Sequence, residues 1–251
     1  MIIKNENDFT GLKKIGRIVA LAIHEMGKAV KPGITTLELD DIGAKILEQH
    51  GARSAPKFVY QFPAYTCISI NEEAAHGIPS DRVIKEGDIV NIDVSAELNG
   101  YFADSGHTFL VPPFSQEQQW LVDSTKKALN ESMNVARAGT KINQIGKAIT
   151  KVATEAGFTT IRDLGSHGVG RSLHEAPEFI PNYFDKKDTR RLTDGMVITI
   201  EPFLSTKTQY TQTLDDGWTL VTETGNMSAQ FEHTMVINKN KPIIMTTLDD
   251  L

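Results

Sequence analysis

Cysteine and basic clusters are both scarce in this sequence, and each scarcity excludes a class of protein. A single cysteine, Cys67, has no partner for an intrachain disulfide, which excludes a disulfide-stapled secreted domain and predicts a reducing compartment. The 26 basic residues are outnumbered by 32 acidic ones, for a net charge of −6, and they form no basic run. We therefore expect no binding to DNA or to an anionic membrane surface.

Long apolar runs are also missing. No apolar run approaches the roughly 20 residues of a membrane-spanning helix. The first residues, MIIKNENDFTGL, lack the apolar core of a secretion signal. We therefore expect a cytoplasmic protein that neither spans nor anchors to a membrane.

The residues that are present are typical of an ordinary globular protein, with 40% apolar and 23% charged residues in a chain of 251. Because helical and strand patterns mix without strict alternation, we predict an α+β fold. Helical spacing predicts helices over 8–30, from a cap at Thr36 to His50-Gly51, 115–137 and 141–156. Strand patterns fall at 66–70, 88–97 and 101–111, and near 195–203, 217–224 and 228–238.

Three short blocks recur in the same order in both halves of the chain. Each half begins with an amphipathic helical segment, which is followed by a His-Gly pair before an aliphatic residue. Next comes a glycine, and six residues after it a carboxylate ends an apolar strand; this carboxylate is Asp93 in the first half and Glu201 in the second. The blocks are unevenly spaced, which excludes a solenoid. We interpret the chain as one domain over 1–251, with two duplicated halves of roughly 1–112 and 113–251 related by a pseudo-two-fold axis.

An Asn-Gly pair between two apolar runs predicts a tight β-hairpin, here at Asn99-Gly100. With these as the turn residues, Ser95 pairs with Asp104, and Asp93 lies diagonally on the same face. Two carboxylates in an apolar setting repel each other unless a positive charge lies between them, and a divalent metal ion supplies that charge.

Two further carboxylates, Glu201 and Glu232, also interrupt apolar strand segments. One such acid alone is more often a strand end or half of a salt bridge, but four with few nearby cations indicate a shared site. His167 and His174, in a glycine-rich segment, offer imidazole nitrogens. Such an oxygen-rich donor set favours Mn, Fe, Co or Zn, and several carboxylates can bridge two ions for metal-assisted hydrolysis.

The motifs around these residues resemble, over essentially the whole chain, the type I methionine aminopeptidases of the M24 metallopeptidases. The segment between Glu201 and Glu232 is too short for the helical insertion of the type II enzymes. The resemblance implies the pita-bread α+β fold, with two pseudo-two-fold-related halves around an antiparallel sheet. The motifs are AHGIP at 75–79, NIDV at 91–94, SHGVG at 166–170, LHEAP at 173–177, IEPF at 200–203 and QFEHT at 230–234.

The resemblance also implies a ligand set for two divalent ions (Co, Mn, Fe or Zn), in which Asp104 and Glu232 bridge the pair. His76 and His174 would be non-ligand residues that contact the substrate and share its hydrogen bonds and protons. The five implied ligands are Asp93, Asp104, His167, Glu201 and Glu232.

The implied activity is removal of the N-terminal methionine from nascent proteins and peptides. A metal-activated water would attack the first peptide bond, with Glu201 or Glu232 accepting its proton, and a small second residue would be preferred. The implied partners are N-termini of nascent polypeptides, with the ribosome as a candidate location, and we expect a monomer. The methionine pocket, carried over by position, comprises Val59, Phe62, Cys67 and Trp218, with Leu173 nearby.

Three positions depart from the family pattern without removing a ligand. Ser105 stands where the family usually has threonine, Ser166 replaces a usual glycine, and His107 is unusual at its place. They bear on rate and specificity rather than on the reaction. We interpret the remaining histidines as structural, with His107 and His233 on the face of their strands away from the ligands.

Two rival functions stay open. One is a proline-specific aminopeptidase or dipeptidase with the same ligand set, although those enzymes usually carry an extra N-terminal domain that this sequence lacks. The other is a non-catalytic homologue that has lost its metals, which disagrees with the presence of all five ligand residues.

Overall fold

The computed structural model describes residues 1–248, which form a mixed helical and antiparallel structure. The helices are α1 (Glu6–Ala29), α2 (Thr36–Gln49), α3 (Ala55–Tyr60), α4 (Gln116–Val135) and α5 (Asn143–Ala156). The strands are β1 (Arg53–Ser54), β2 (Cys67–Ile70), β3 (Glu73–Ala75), β4 (Ile89–Leu98), β5 (Tyr101–Leu110), β6 (Thr159–Thr160), β7 (Gly165–Gly168), β8 (Glu175–Pro181), β9 (Val197–Ile200), β10 (Phe203–Ser205), β11 (Gln212–Thr213), β12 (Leu220–Val221), β13 (Ser228–Gln230), β14 (His233–Val236) and β15 (Ile243–Ile244).

The predicted cap of α2 is wrong by one residue. Thr35, not Thr36, caps the helix: its hydroxyl accepts from the Glu38 backbone N–H at 3.1 Å, and the Glu38 carboxylate accepts from the Thr35 N–H at 2.8 Å. This reciprocal pair needs a glutamate three residues after the cap, and only Thr35 has one. The hydroxyl of Thr36 instead donates to the Ser80 carbonyl oxygen at 3.1 Å.

The predicted hairpin is confirmed in position and register. Strands β4 and β5 pair antiparallel over their full lengths, and Ser95 lies opposite Asp104. Asn99 and Gly100 have φ values of 53° and 81°, the left-handed pair that this tight turn requires. The register therefore places Asp93 and Asp104 on one face of the hairpin.

Two apolar cores lie on either side of the strands. In the first, α1 packs on β4 and β5 through residues such as Leu12, Ile15 and Val19, which are completely buried. In the second, α4 packs on β9, β10 and β13, and α5 packs on α4, β6 and β8, with Leu121 and Ile149 in the core. This arrangement of helices over strands in both halves supports the interpretation of a duplication, which stays a prediction.

The two halves meet where β5 runs beside residues 228–236. The backbone N–H of Glu232 donates to the Gly106 carbonyl oxygen at 2.8 Å, and the N–H of Asp104 donates to the Thr234 hydroxyl at 2.8 Å. These bonds bring Asp104 and Glu232 side by side, although they belong to different halves of the sequence.

Three predicted strands are shorter or broken in the structure. The segment 195–203 divides into β9 and β10 around Glu201-Pro202, because proline has no N–H to give to a strand ladder. The segment 228–238 divides into β13 and β14 around Phe231-Glu232, and 217–224 retains only β12. None of the helices within residues 1–248 is long and apolar enough to cross a membrane.

Candidate active site

One cavity of about 230 Å³ contains all five of the predicted ligand residues in its wall. One ligand atom each from Asp104, His167 and Glu232 lies within 4.8 Å of the others. Nε2 of His167 is 3.8 Å from Oδ2 of Asp104 and 3.5 Å from Oε1 of Glu201. Asp93 completes the group from the wall of the same cavity, on the same face of the hairpin as Asp104.

The electrostatics of this cluster favour a cation. Burial first, and then repulsion between neighbouring carboxylates, raises the pKa values of Asp104, Glu201 and Glu232 well above their usual range. Burial also raises the pKa of Asp93 to about 7. Within residues 1–248, Oδ1 of Asp104 and Oε1 of Glu232 are buried without a hydrogen-bond partner. Oxygen atoms left in this way fit the donor set of a divalent metal ion.

Neighbouring groups orient the donor atoms. His167 is neutral, since burial lowers its pKa to about 3, and its Nδ1 is 2.9 Å from the Gly168 carbonyl oxygen. A carbonyl oxygen only accepts, so Nδ1 carries the ring proton and Nε2 presents a lone pair to the carboxylates. The Thr199 hydroxyl donates to Oε1 of Glu201, and the Gln230 amide donates to Oε2 of Glu232, both at 3.0 Å.

Two further imidazoles line the cavity beside the cluster. The ring of His174 lies 4.1 Å from that of His167, centroid to centroid. His76 has a φ of 55°, a left-handed conformation that is uncommon for a residue other than glycine and is often found at functional sites. Burial lowers the pKa of both His76 and His174, with His76 adding to the effect on His174, so both are neutral at pH 7.

An apolar recess adjoins the carboxylates. Phe62 and Trp218 meet edge to face with ring centroids 5.2 Å apart, and they lie in one apolar cluster with Cys67. Cys67 is paired with Asp93 across the β2–β4 ladder, so the recess and the cluster share a wall. Burial raises the pKa of the Cys67 thiol well above its usual value, which makes it an apolar packing group and a poor nucleophile.

Val59, which was expected in this pocket, lies outside the cavity wall. Its side chain is 39% exposed on α3, and that helix contributes Pro56 and Tyr60 instead. Adjacent residues on a helix point about 100° apart, so Val59 faces away from the cavity that Tyr60 lines. The short α3 itself was not predicted, although Ser54 followed by Pro56 is a helix-start signal that would have located it. Tyr60 was missed for the same reason.

The remaining histidines lie away from the cluster. The rings of His107 and His233 are 5.7 Å apart, and with His24 they line a separate cavity. His50 is the C-cap residue of α2. Strand alternation places His107 and His233 on the side opposite the ligand residues, as expected.

The sequence pattern of metallopeptidase family M24 matches residues 10–239. The chain belongs to this family. Methionine aminopeptidase 2 from Bacillus subtilis is 48% identical over 249 residues, which cover 99% of this chain and 100% of the relative. The M24 assignment means a metal-dependent peptidase, and the cluster of Asp104, His167 and Glu232 fits a divalent ion.

Solved structures show the same architecture. The crystal structure of methionine aminopeptidase from Rickettsia prowazekii matches this M24 chain with a TM-score of 0.93 and 36% identity, over 98% of this chain and 100% of that one. Prolidase from Pyrococcus furiosus shares the fold, with a TM-score of 0.78 and 23% identity, over 98% of this chain and 65% of that one. The predicted α+β pita-bread fold is therefore confirmed.

Proposed function

We propose that this M24 peptidase hydrolyses the first peptide bond of nascent proteins and peptides that begin with methionine. The observation that carries the proposal is the shared wall between an uncharged apolar recess and a buried carboxylate cluster, formed by Cys67 and Asp93 on paired strands. A methionine side chain in the recess would place its own backbone, and hence the first peptide bond, beside the cluster.

The donor set supports two divalent ions, of Mn, Fe, Co or Zn. Five side chains, four of them carboxylates, are more donors than one such ion requires when each offers an atom. Ions bound here would supply Lewis-acid chemistry, activating water and polarising the scissile carbonyl group. The ligands in this proposal are Asp93, Asp104, His167, Glu201 and Glu232.

Three residues carry the proton transfers and charge stabilisation in this proposal. Glu201 accepts the proton of the attacking water, since one of its oxygens is already oriented by Thr199 and its burial makes protonation favourable. His174 and His76 are neutral, so each can donate one N–H, His174 to the oxygen on which charge develops and His76 to the leaving nitrogen.

The shape of the cavity supports the choice of substrate. The recess of Phe62, Cys67 and Trp218 has no charged side chain, so a lysine or glutamate would be buried unpaired at high cost. Beside the cluster, the ring of His174 packs against those of His167 and Tyr60, with centroids 4.1 and 5.7 Å away. This crowding favours a small second residue.

The setting of the reaction is also proposed. We propose a monomeric enzyme, because the five proposed ligands and both histidines lie together without a residue from a second copy. The N-termini of nascent polypeptides, emerging at the ribosome in the cytoplasm, are the proposed partners. The single free cysteine is compatible with that reducing compartment.

Peptide turnover tests the proposal. Chelated enzyme is resupplied with Mn, Fe, Co or Zn, one at a time, and offered Met-Ala-Ser, Leu-Ala-Ser, Lys-Ala-Ser, Met-Trp-Ser and Ala-Pro-Ser. We expect Met-Ala-Ser to be cleaved fastest and Leu-Ala-Ser roughly 10- to 200-fold more slowly, because an apolar pocket separates side chains of similar size by only about 1–3 kcal/mol. Preference for Lys-Ala-Ser, equal turnover of Met-Trp-Ser, or fastest cleavage of Ala-Pro-Ser would contradict the proposal.

A further inference from the structure

Tyr60 makes the one side-chain hydrogen bond that His174 has within residues 1–248. The phenol oxygen of Tyr60 lies 2.8 Å from Nδ1 of His174, and the two ring centroids are 5.7 Å apart. Tyr60 is the last residue of α3, and Gln61 ends the helix in a left-handed conformation with its N–H bonded to the Pro56 carbonyl oxygen. The phenol is therefore held at the cavity wall by the end of a helix.

The direction of this hydrogen bond follows from the donors and acceptors that the two rings offer. A phenol has one O–H to donate. An imidazole with one N–H has a lone pair on its other ring nitrogen, which can accept that proton. Within the described residues the phenol proton has no acceptor other than Nδ1 of His174. The phenol thus donates to Nδ1, and the ring proton of His174 resides on Nε2.

We propose that Tyr60 is a positioning residue that fixes the tautomer and the ring orientation of His174, so that Nε2–H faces the cavity as a hydrogen-bond donor to the substrate's carbonyl oxygen. The proposal rests on the proposed peptidase function. A donor held in place before reaction stabilises developing negative charge without reorganisation. In the opposite tautomer, Nε2 would present a lone pair to that oxygen and repel it.

Substitution of Tyr60 by phenylalanine removes the hydroxyl and keeps the ring, so the wall of the cavity is retained. We expect kcat for Met-Ala-Ser to fall about 3- to 10-fold, the effect of one ordinary hydrogen bond, with KM changed less than twofold. Phe58→Leu is the matched control, because Phe58 lies on the same helix, is 52% exposed and stacks on Arg53 instead of facing the cavity. Its kcat should equal that of the wild type.

A double substitution separates positioning from a general effect on the fold. In a His174→Ala background, Tyr60→Phe should cause no further loss of kcat, because the residue through which it acts is gone. A full 3- to 10-fold loss in that background, or a Tyr60→Phe enzyme with wild-type kcat, would overturn the proposal.

Nitrogen NMR of labelled histidine gives a readout that does not depend on activity. In the zinc-loaded protein, which is diamagnetic, the His174 signals are assigned by their loss in His174→Ala. We expect the Nε2–H tautomer in the wild type and a mixture of tautomers in Tyr60→Phe. An Nδ1–H tautomer in the wild type would overturn the proposal. If the wild type fails to cleave Met-Ala-Ser but shows the expected tautomer, the proposed function fails and the Tyr60–His174 assignment stands.

Discussion

The two halves of the site present their carboxylates in different ways. Asp93 and Asp104 lie within β4 and β5, two continuous ten-residue strands, where the pleat and the ladder fix the direction of each side chain. Glu201 and Glu232 lie at breaks, between β9 and β10 and between β13 and β14. A residue at a break has no ladder to direct it, so other bonds must hold it.

Two serine hydroxyl groups supply bonds of this kind, in addition to the bond from the Glu232 N–H to the Gly106 carbonyl oxygen. The backbone N–H of Glu201 donates to the Ser166 hydroxyl at 2.9 Å, and the Ser105 hydroxyl donates to the Glu232 carbonyl oxygen at 2.6 Å. Both serines are completely or almost completely buried. They are also two of the three positions at which we expect the sequence to depart from the family pattern. The carboxylates of the two halves therefore reach the same cavity by different means, a strand ladder in the first half and buried hydroxyl groups in the second.

Removing the charge of one carboxylate from either half should have the largest effect. We expect Asp104→Asn, in the ladder, and Glu232→Gln, at a break, each to abolish turnover and to lower metal content. A neutral amide is a weaker ligand than a carboxylate, so each variant should bind the metal ions less tightly. Where an ion is lost, the remaining buried acids no longer have a positive charge between them. Elemental analysis and the rate of Met-Ala-Ser cleavage measure both effects.

The matched control for these variants is Glu97→Gln. Glu97 is a buried carboxylate on the same hairpin, but it pairs with Arg53 at 2.7 Å outside the cluster. That variant should keep its metal content. Near-native activity with full metal in Asp104→Asn or Glu232→Gln would refute the bridging assignment, and loss in only one of them would show that the two halves contribute unequally.

Two adjacent imidazoles should separate metal binding from catalysis. We expect His167→Ala to lose metal, because its Nε2 points at Asp104 and Glu201. His174→Ala should keep its metal but lose roughly 10²- to 10⁴-fold in kcat, the usual range for a positioned acid–base group. His76→Ala should behave like His174→Ala. Metal loss in His174→Ala, measured on the same samples, would place that residue among the ligands.

Much of the fold and the first half of the site could be predicted from local patterns. The Asn99-Gly100 turn determines the register of its hairpin, so the shared face of Asp93 and Asp104 follows from sequence alone. The α+β class follows from the order of periodic segments in the same way. These features depend on residues that are close together along the chain.

The second half depends on contacts between distant residues, which periodicity cannot reveal. The breaks at Glu201 and Glu232 are held by Ser166 and Ser105, each far away in sequence. Helix α3, with six residues, is too short for a periodic pattern, so the sequence does not show which of its faces lines the cavity. The resemblance implies Val59 at this place, whereas the structure has Tyr60 there.

The smallest expected effect tests whether a buried serine hydroxyl group holds Glu201 in place where the strand is interrupted. Ser166→Ala removes the acceptor of the Glu201 N–H and leaves that donor buried and unpaired. We expect roughly 10-fold weaker metal affinity, typical of losing a group that orients a ligand, with the metal still binding at saturation. Ser132→Ala is the control, since Ser132 is equally buried but donates to the Leu129 carbonyl oxygen within α4. Titration of the chelated proteins with Mn²⁺ measures both variants. Because Ser132 lies away from the site, its loss affects only stability. Unchanged affinity in Ser166→Ala would mean that Glu201 is oriented by Thr199 alone, and the proposed contrast between ladder and break would then hold only for Glu232.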